Sequence, residues 1–270
     1  MVTPSLPSRL VLLGSDVGSS LSPTFQRAAL AAAGIPLSYD AVDVAAENLP
    51  DMIGEIRLRS IAGNVTRPHK RHFHDACDAL TPIAERVGAV NTFWMSEGRL
   101  HGDNTDVGGF EASARELLED KLTGVEVLVL GAGGAAAAVL AAVERWPDCH
   151  ALVASRNPSR AALLAARYEG LATVERDAAR AAKRVGLIVN ATPIGQHDES
   201  EPLAASLIPR EAAVMDLVYR RGETAWVRAL RANGNPARDG MTMLLEQGAI
   251  SFQAWFGMEP DRRAMLQSLQ

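Results

Sequence analysis

Short apolar runs and amphipathic stretches alternate along the N-terminal part of the chain, the pattern of a sheet with helices on its faces. Leu10 to Gly14 reads as a strand. Ser22-Pro23 opens a helix, with Ser22 as N-cap and Pro23 in the first turn, that continues through Ala28–Ala33 and stops at Gly34. Residues 37–44 read as a second strand, 48–56 as a helix, 61–65 as a strand, 68–79 as a helix, and 89–95 as a strand before a turn at Gly98. A connecting helix over 106–118 leads to a second alternating unit, whose strands are predicted at 125–130, 151–154, 187–190 and 214–218. A last long helical pattern covers Met243 to Phe256. The fold class expected from this order is α/β with two domains.

Length agrees, since 270 residues suffice for two cores of moderate size. A formal net charge of −5 supplies no overall positive field, so nucleic acid is not expected as a partner. Cys77 and Cys149 stand far apart without metal-ligand spacing, which predicts neither a disulfide framework nor a metal site and fits a reducing cytoplasm. The run Leu10–Leu13 behind Pro4 and Pro7 is too short for a signal peptide. The uncharged stretch 127–143 approaches a membrane span in length, but Gly131, Gly133 and Gly134 divide it into strand and helix, so no membrane association is expected.

That division carries chemistry. Val127–Leu130 runs into Gly131-Ala132-Gly133-Gly134-Ala135 and then an Ala-rich helix. A glycine turn there lets the backbone approach a pyrophosphate, and the helix start favours its charge. The next strand ends at Ser155-Arg156-Asn157-Pro158-Ser159-Arg160, where an NAD site would carry an acid for the ribose diol. Ser155, Arg156 and Arg160 instead offer a hydroxyl and two cations, suited to a 2′-phosphate, so NADP is the predicted cofactor.

In the N-terminal half, polar residues gather at predicted strand exits: Ser20 and Ser22, Asn64, Thr66 and Lys70, Asn91, and Asn104-Thr105-Asp106. Each has a plain structural reading as cap, turn or solvated residue. Together they are the donors and acceptors that a small ligand with many hydroxyls requires. Lysine occurs only at positions 70, 121 and 183, and Lys70 stands between Arg67 and Arg71, where an amine that can release its proton is distinctive.

The motifs Ser-Leu-Ser-Pro (20–23), Gly-Asn-Val-Thr-Arg-Pro-His-Lys (63–70), Ala-Val-Asn-Thr (89–92) and Asn-Thr-Asp (104–106) come first in chain order. Gly-Ala-Gly-Gly-Ala (131–135), Ser-Arg-Asn (155–157), Asn-Ala-Thr-Pro-Ile-Gly (190–195), Asp-Leu-Val-Tyr (216–219) and Asp-Gly-Met-Thr-Met-Leu-Leu-Glu-Gln (239–247) follow. In this order the sequence resembles the shikimate dehydrogenase family over nearly its whole length. The resemblance implies a substrate domain over 1–108, with 240–270 returning to it, and a Rossmann-like NADP-binding domain over 109–239. It implies that Lys70 and Asp106 form the catalytic pair, that Ser20 and Ser22 hold a ring carboxylate with Tyr219 assisting, and that Asn64, Thr66, Asn91 and Gln247 contact ring hydroxyls. The cofactor would lie on Gly131, Ala132, Gly133, Gly134 and Ala135, with Ser155, Arg156 and Arg160 at the 2′-phosphate and Thr192 and Gly240 alongside. The reaction implied is reversible reduction of 3-dehydroshikimate, a small ring carboxylic acid, by a monomer or homodimer.

Gln26 stands where the family commonly has His, Ser155 where Asn is frequent, and Arg220-Arg221-Gly222 where Asn-Pro is frequent. A paralogue acting on quinate or aminoshikimate therefore remains an alternative, as does a non-catalytic ligand sensor of the same fold. Methylenetetrahydrofolate dehydrogenase is disfavoured, because none of Tyr39, Tyr168 and Tyr219 has a Lys four residues on.

Overall fold

The computed structural model describes residues 6–270; residues 1–5, including Pro4, lie outside the described residues. The chain divides into two compact units, one made of the residues up to Gly109 with Leu245–Gln270 and the other of Phe110–Leu244.

The first unit contains β1 (Leu10–Gly14), α1 (Ser22–Ala32), β2 (Tyr39–Asp43), α2 (Leu49–Arg59), β3 (Ala62–Val65), α3 (Lys70–Ala76), β4 (Ala79–Leu80), α4 (Pro82–Val87), β5 (Thr92–Ser96) and β6 (Arg99–Asp103). Its strands form a six-stranded sheet in the order β2-β1-β3-β5-β6-β4. β1 lies parallel to β2 and β3, β5 runs against both β3 and β6, and β4 is parallel to β6. β5 alone is reversed, so its beginning lies at the edge where β3 and β6 end. β1 is buried along its whole length, as a central strand covered on both faces must be. Val11, Leu13, Ile56, Phe73, Val90 and Phe93 belong to one core, where each fully buried aliphatic side chain contributes about 1.5–3 kcal/mol.

Several predicted boundaries change here. The helix expected over 68–79 is α3 alone, because Thr66 O accepts from His69 N in a preceding turn and Cys77 leaves the helix with extended dihedrals. Ser22 is the first helical residue and not the cap; Leu21 holds the cap position without a side-chain bond. Asn91 falls just before β5. The turn at Gly98 closes a hairpin in which Ser96 pairs with Arg99, with Glu97 and Gly98 both at positive φ, the dihedrals a two-residue hairpin loop requires. The return strand β6 went unpredicted because Arg99, His101 and Asp103 make it half polar.

The second unit begins within α5 (Asp106–Leu117), whose first turn belongs to the first unit. It contains β7 (Glu126–Leu130), α6 (Gly134–Val143), β8 (His150–Ala154), α7 (Pro158–Arg167), β9 (Ala172–Val174), α8 (Ala178–Ala181), β10 (Leu187–Asn190), β11 (Ala213–Asp216), α9 (Ala225–Asn233) and β12 (Ala237–Arg238). The strand order is β12-β11-β10-β7-β8-β9, and every pairing is parallel. The chain winds outward from β7 to β9 and then returns beside β7 to wind the other way. That is the Rossmann-like doubly wound order, with its topological switch between β7 and β10. All residues of α6 from Ala136 to Val143 are buried, which explains the long uncharged run without a membrane. No described helix is long and apolar enough to cross one.

α10 (Met241–Phe256) and α11 (Arg262–Gln267) close the chain. From Leu245 onward they belong to the first unit, where the Gln26 amide donates to the Gly248 carbonyl at 2.9 Å. A Cβ on Gly248 would lie 2.3 Å from the Phe25 ring, so only glycine lets α10 come this close to α1.

Candidate active site

Lateral backbone bonds draw the polar motifs of the first unit together. Val65 N donates to Asn91 O at 2.9 Å, and Asn91 N donates to Asp103 O at 3.0 Å. The exits of β3 and β6 and the entry of β5 are therefore clamped side by side, although nearly forty residues separate Val65 from Asp103 in the sequence. Val90 N also donates to Lys70 O at 2.9 Å, which ties the start of α3 to the same edge.

Lys70 and Asp106 meet there, with Nζ 2.5 Å from Oδ2 and only 21% and 11% of their side chains exposed. Lys70 opens α3, where the positive helix end disfavours a cation, and the facing carboxylate offsets that cost. The other carboxylate oxygen, Oδ1, accepts from Asn91 Nδ2 at 2.7 Å. Which end of the Asn91 amide faces Asp106 follows from a single contact. Thr105 N, which can only donate, lies 2.7 Å from Asn91 Oδ1, so the nitrogen end must point to Asp106.

A buried layer fixes this arrangement. Ser251 Oγ donates to Gln247 O at 2.9 Å and so accepts from Asn64 Nδ2 at 2.9 Å and from Thr105 Oγ1 at 3.1 Å. Asn64 Oδ1 in turn accepts from the Tyr39 hydroxyl at 2.8 Å, and Asn64 Nδ2 also reaches Thr92 Oγ1 at 2.8 Å. Asn64 is only 6% exposed with both ends of its amide engaged, so it sits beneath the site and not at a ligand surface. Gln247 is also buried, with Oε1 3.4 Å from Asn91 Nδ2. Ser251 and Tyr39 were not among the predicted site residues, and Thr105 stood in the predicted polar cluster without a role of its own. Ser251 was accessible to helix arithmetic, standing four residues after Gln247 on one face of α10.

Ser20 and Ser22 occupy the exit of β1, where Ser20 Oγ accepts from Ser22 N at 3.2 Å. Neither is hydrogen-bonded to Lys70, Asp106 or Asn91. Thr66 follows β3 half-buried, its methyl over Gly14, where a Cβ would lie 2.5 Å away. Tyr219 belongs to the second unit, half-buried in the segment after β11. Neither cysteine offers a nucleophile: both are free, and burial pushes the Cys77 thiol up to about 12.

In the second unit the glycine turn lies at the topological switch. Gly131 has φ +119°, and a Cβ on it would lie 2.8 Å from Ala191 O, so the fold itself demands glycine. Gly133 and Gly134 are different. Both are exposed at the start of α6, and a Cβ on either would meet nothing within 4 Å. Steric need within the protein does not explain them. The space they leave, in front of unsatisfied helix N–H groups, fits a pyrophosphate. Ala132 and Ala135 are half-buried beside them.

After β8, Ser155 Oγ accepts from Asn157 N at 3.2 Å, and Asn157 caps α7 by accepting from Arg160 N at 3.1 Å. Arg156 and Arg160 are exposed and form no ion pair with a described residue, whereas Arg57, Arg115, Arg220 and Arg262 are each paired with an acid. These residues fit a 2′-phosphate. Thr192 is held by Asn190, whose Oδ1 accepts from Thr192 Oγ1 at 2.6 Å. Asn190 also donates to Asp216 at 2.8 Å, and Thr224 donates to the other Asp216 oxygen at 2.8 Å. Burial pushes the Asp216 carboxyl above its ordinary range, against these hydrogen bonds. Gly240 has a reason within the protein, since a Cβ there would lie 2.4 Å from Leu217 O.

Comparison with known proteins gives a consistent result. Residues 12–93 match the family model described as shikimate dehydrogenase substrate binding domain, and residues 240–270 match that of the shikimate 5'-dehydrogenase C-terminal domain. The chain is 40% identical over 262 residues to the shikimate dehydrogenase (NADP(+)) of Thermus thermophilus, covering 95% of each. The crystal structure of shikimate 5-dehydrogenase from Thermus thermophilus in complex with NADP(H) and shikimate superposes with a TM-score of 0.88 at 39% identity, over 97% of this chain and 98% of that one. The ligand-free 5-ketofructose reductase of a Gluconobacter species also superposes, with a TM-score of 0.85 at 28% identity over 98% of this chain and 99% of that one.

Proposed function

Because the chain belongs to the shikimate dehydrogenase family, we propose that it catalyses the reversible, NADP-linked reduction of 3-dehydroshikimate to shikimate in the cytoplasm. The observation that carries this reading is the Lys70–Asp106 contact, with Asn91 on the second carboxylate oxygen, set among polar residues at one edge of the first sheet. The domain assignment follows: the first unit binds the ring acid and the second binds the cofactor.

Bound NADPH supplies the hydride. Lys70 donates a proton from Nζ to the ketone oxygen as the carbonyl carbon is reduced, and in the oxidative direction takes the hydroxyl proton back. Asp106 holds Nζ in place and accepts from the substrate hydroxyl, while Asn91 fixes the carboxylate plane. Ser20 and Ser22 at the start of α1 hold the ring carboxylate; Thr66 and Gln247 contact ring hydroxyls. Gly131, Ala132, Gly133, Gly134 and Ala135 cradle the pyrophosphate, with Thr192 and Gly240 framing the strand exits beside it. Ser155, Arg156 and Arg160 hold the 2′-phosphate.

The test is nicotinamide absorbance with purified protein, shikimate or quinate, and NADP or NAD. Shikimate with NADP is expected to give the highest kcat/KM, by about tenfold or more over either alternative. Preference for quinate, or absence of turnover with every ring acid, would overturn the assignment. A second expectation separates glycine's structural and ligand-binding uses. Gly133 has ordinary extended dihedrals and an added Cβ there meets nothing within 4 Å, so Gly133→Val should cost no more than about 1 kcal/mol, the usual loss for a poor N-cap. The same branched side chain would occupy the pyrophosphate position, so NADP binding by calorimetry should fall by about a hundredfold. Unchanged NADP affinity would remove the cradle from this turn.

A further inference from the structure

A second loop reaches the sheet edge where Ser155 lies. β8 and β9 are parallel with Val153 level with Val174, and Glu175 N continues the ladder by donating to Val153 O at 2.9 Å. Carried on two residues, this register sets Arg176 level with Ser155. The loops after β8 and β9 are thus neighbours at the carboxyl edge of a parallel sheet, where ligands of this fold bind. Between them is a depression lined by Ser155, Pro158, Val174, Glu175 and Arg176.

Two acids lie in the second loop, and both are already engaged. Glu175 Oε1 accepts from the backbone N–H groups of Arg176 at 2.8 Å and Asp177 at 2.9 Å, and Oε2 pairs with Arg184 at 3.3 Å. These bonds, the Asp177 N–H foremost, hold the Glu175 carboxyl below its ordinary range. Asp177 Oδ1 accepts from Arg180 N at 2.9 Å. Arg176 is exposed and forms no ion pair with a described residue. On the facing wall, Ser155 Oγ accepts from Asn157 N, which leaves its hydroxyl proton to donate outward. An uncompensated guanidinium and a free hydroxyl donor across a small depression make a site for a phosphoryl group, beside the exposed Arg156 and Arg160.

We infer that Arg176 determines cofactor specificity, closing the 2′-phosphate site from the β9 side, opposite Ser155, Arg156 and Arg160. This rests on the NADP reading above. It assigns selectivity to the loops after two successive strands, where the Ser-Arg-Asn motif points only to the first.

Calorimetric titration of the full chain with 2′,5′-ADP and with 5′-AMP tests it without turnover. Arg176→Ala should weaken 2′,5′-ADP by about fivefold to tenfold and leave 5′-AMP within about twofold, as for loss of one charge-assisted contact at an exposed site. Arg176→Lys, which keeps the charge without the fork, should lose less. Arg156→Ala serves as the reference from the first loop. If the wild type prefers 2′,5′-ADP and Arg176→Ala keeps that preference, or weakens both ligands equally, the inference falls and the cofactor reading stands. If the wild type binds both ligands equally, the NADP reading falls, and the role of Arg176 with it.

Discussion

Lys70→Ala is expected to lower turnover by about a hundredfold or more with a much smaller change in KM, the usual scale for losing a general acid–base. The split follows from how little else depends on Lys70. Asp106 keeps its Asn91 contact at Oδ1, and Asn91 keeps its orientation through Thr105 N. The buried layer of Asn64, Thr105 and Ser251 makes no bond to the amine. Truncation therefore removes the proton donor and leaves the surrounding geometry intact. Lys70→Arg should not rescue the oxidative direction, because a guanidinium keeps a charge but does not accept a proton. Steady-state kinetics in both directions, with ligand affinity measured separately, distinguish the cases. If Lys70→Ala turns over near the wild-type rate and only KM rises, Lys70 is a binding residue and the proposed proton transfer fails.

The parts of this molecule legible in its sequence are those where one local segment carries both structure and chemistry. Val127–Ala135 is such a segment: an apolar strand, a glycine turn and a helix, read from adjacent residues and found as β7 and α6. The absence of an acid after β8 was equally visible. β4, α4 and β6 were not, because a two-residue strand, a short helix capped by Thr81 and a half-polar hairpin strand have too little periodicity to stand out.

Depth was the harder property. Asn64 and Asn91 have the same side chain and stand at the same sheet edge, yet Asn64 is consumed by Tyr39, Thr92 and Ser251 while Asn91 reaches Asp106. Contacts from three other elements decide this: Tyr39 on β2, Thr92 on β5 and Ser251, which α10 brings down onto Asn64. The glycines divide in the same way. Gly131 and Gly240 are demanded by neighbouring carbonyls, whereas Gly133 and Gly134 face open space. Identical letters in one motif thus serve unlike purposes, and the difference lies in contacts from other elements.

Gly63→Ala is expected to be the most destabilising small substitution in the first unit. A Cβ at Gly63 would lie 1.9 Å from Val11 O and 2.8 Å from Val11 N, the shortest such approach at any described glycine. The obstruction is backbone, so no rotamer change relieves it. Val11 sits in the central strand β1, held on one side by β2 and on the other by β3 through the Val11–Gly63 register. Accommodation requires β3 to move away from β1, losing ladder bonds and opening a core that includes Val11, Val65 and Phe93. Overpacking alone costs about 1–3 kcal/mol, and with broken pairing the total should exceed about 4 kcal/mol. That consumes much of the stability of a domain this size. Asn64, the next residue, would lose its place beside Tyr39 and Ser251, so shikimate affinity should fall together with stability. The second unit has its own core and should retain 2′,5′-ADP binding. Gly54→Ala is the matched control: it lies inside α2 with nothing within 4 Å of the added Cβ, and should be neutral or stabilising by up to about 1 kcal/mol. Urea denaturation of both variants decides the matter, and a Gly63→Ala midpoint equal to that of the wild type would mean that β1 and β3 are not packed as described.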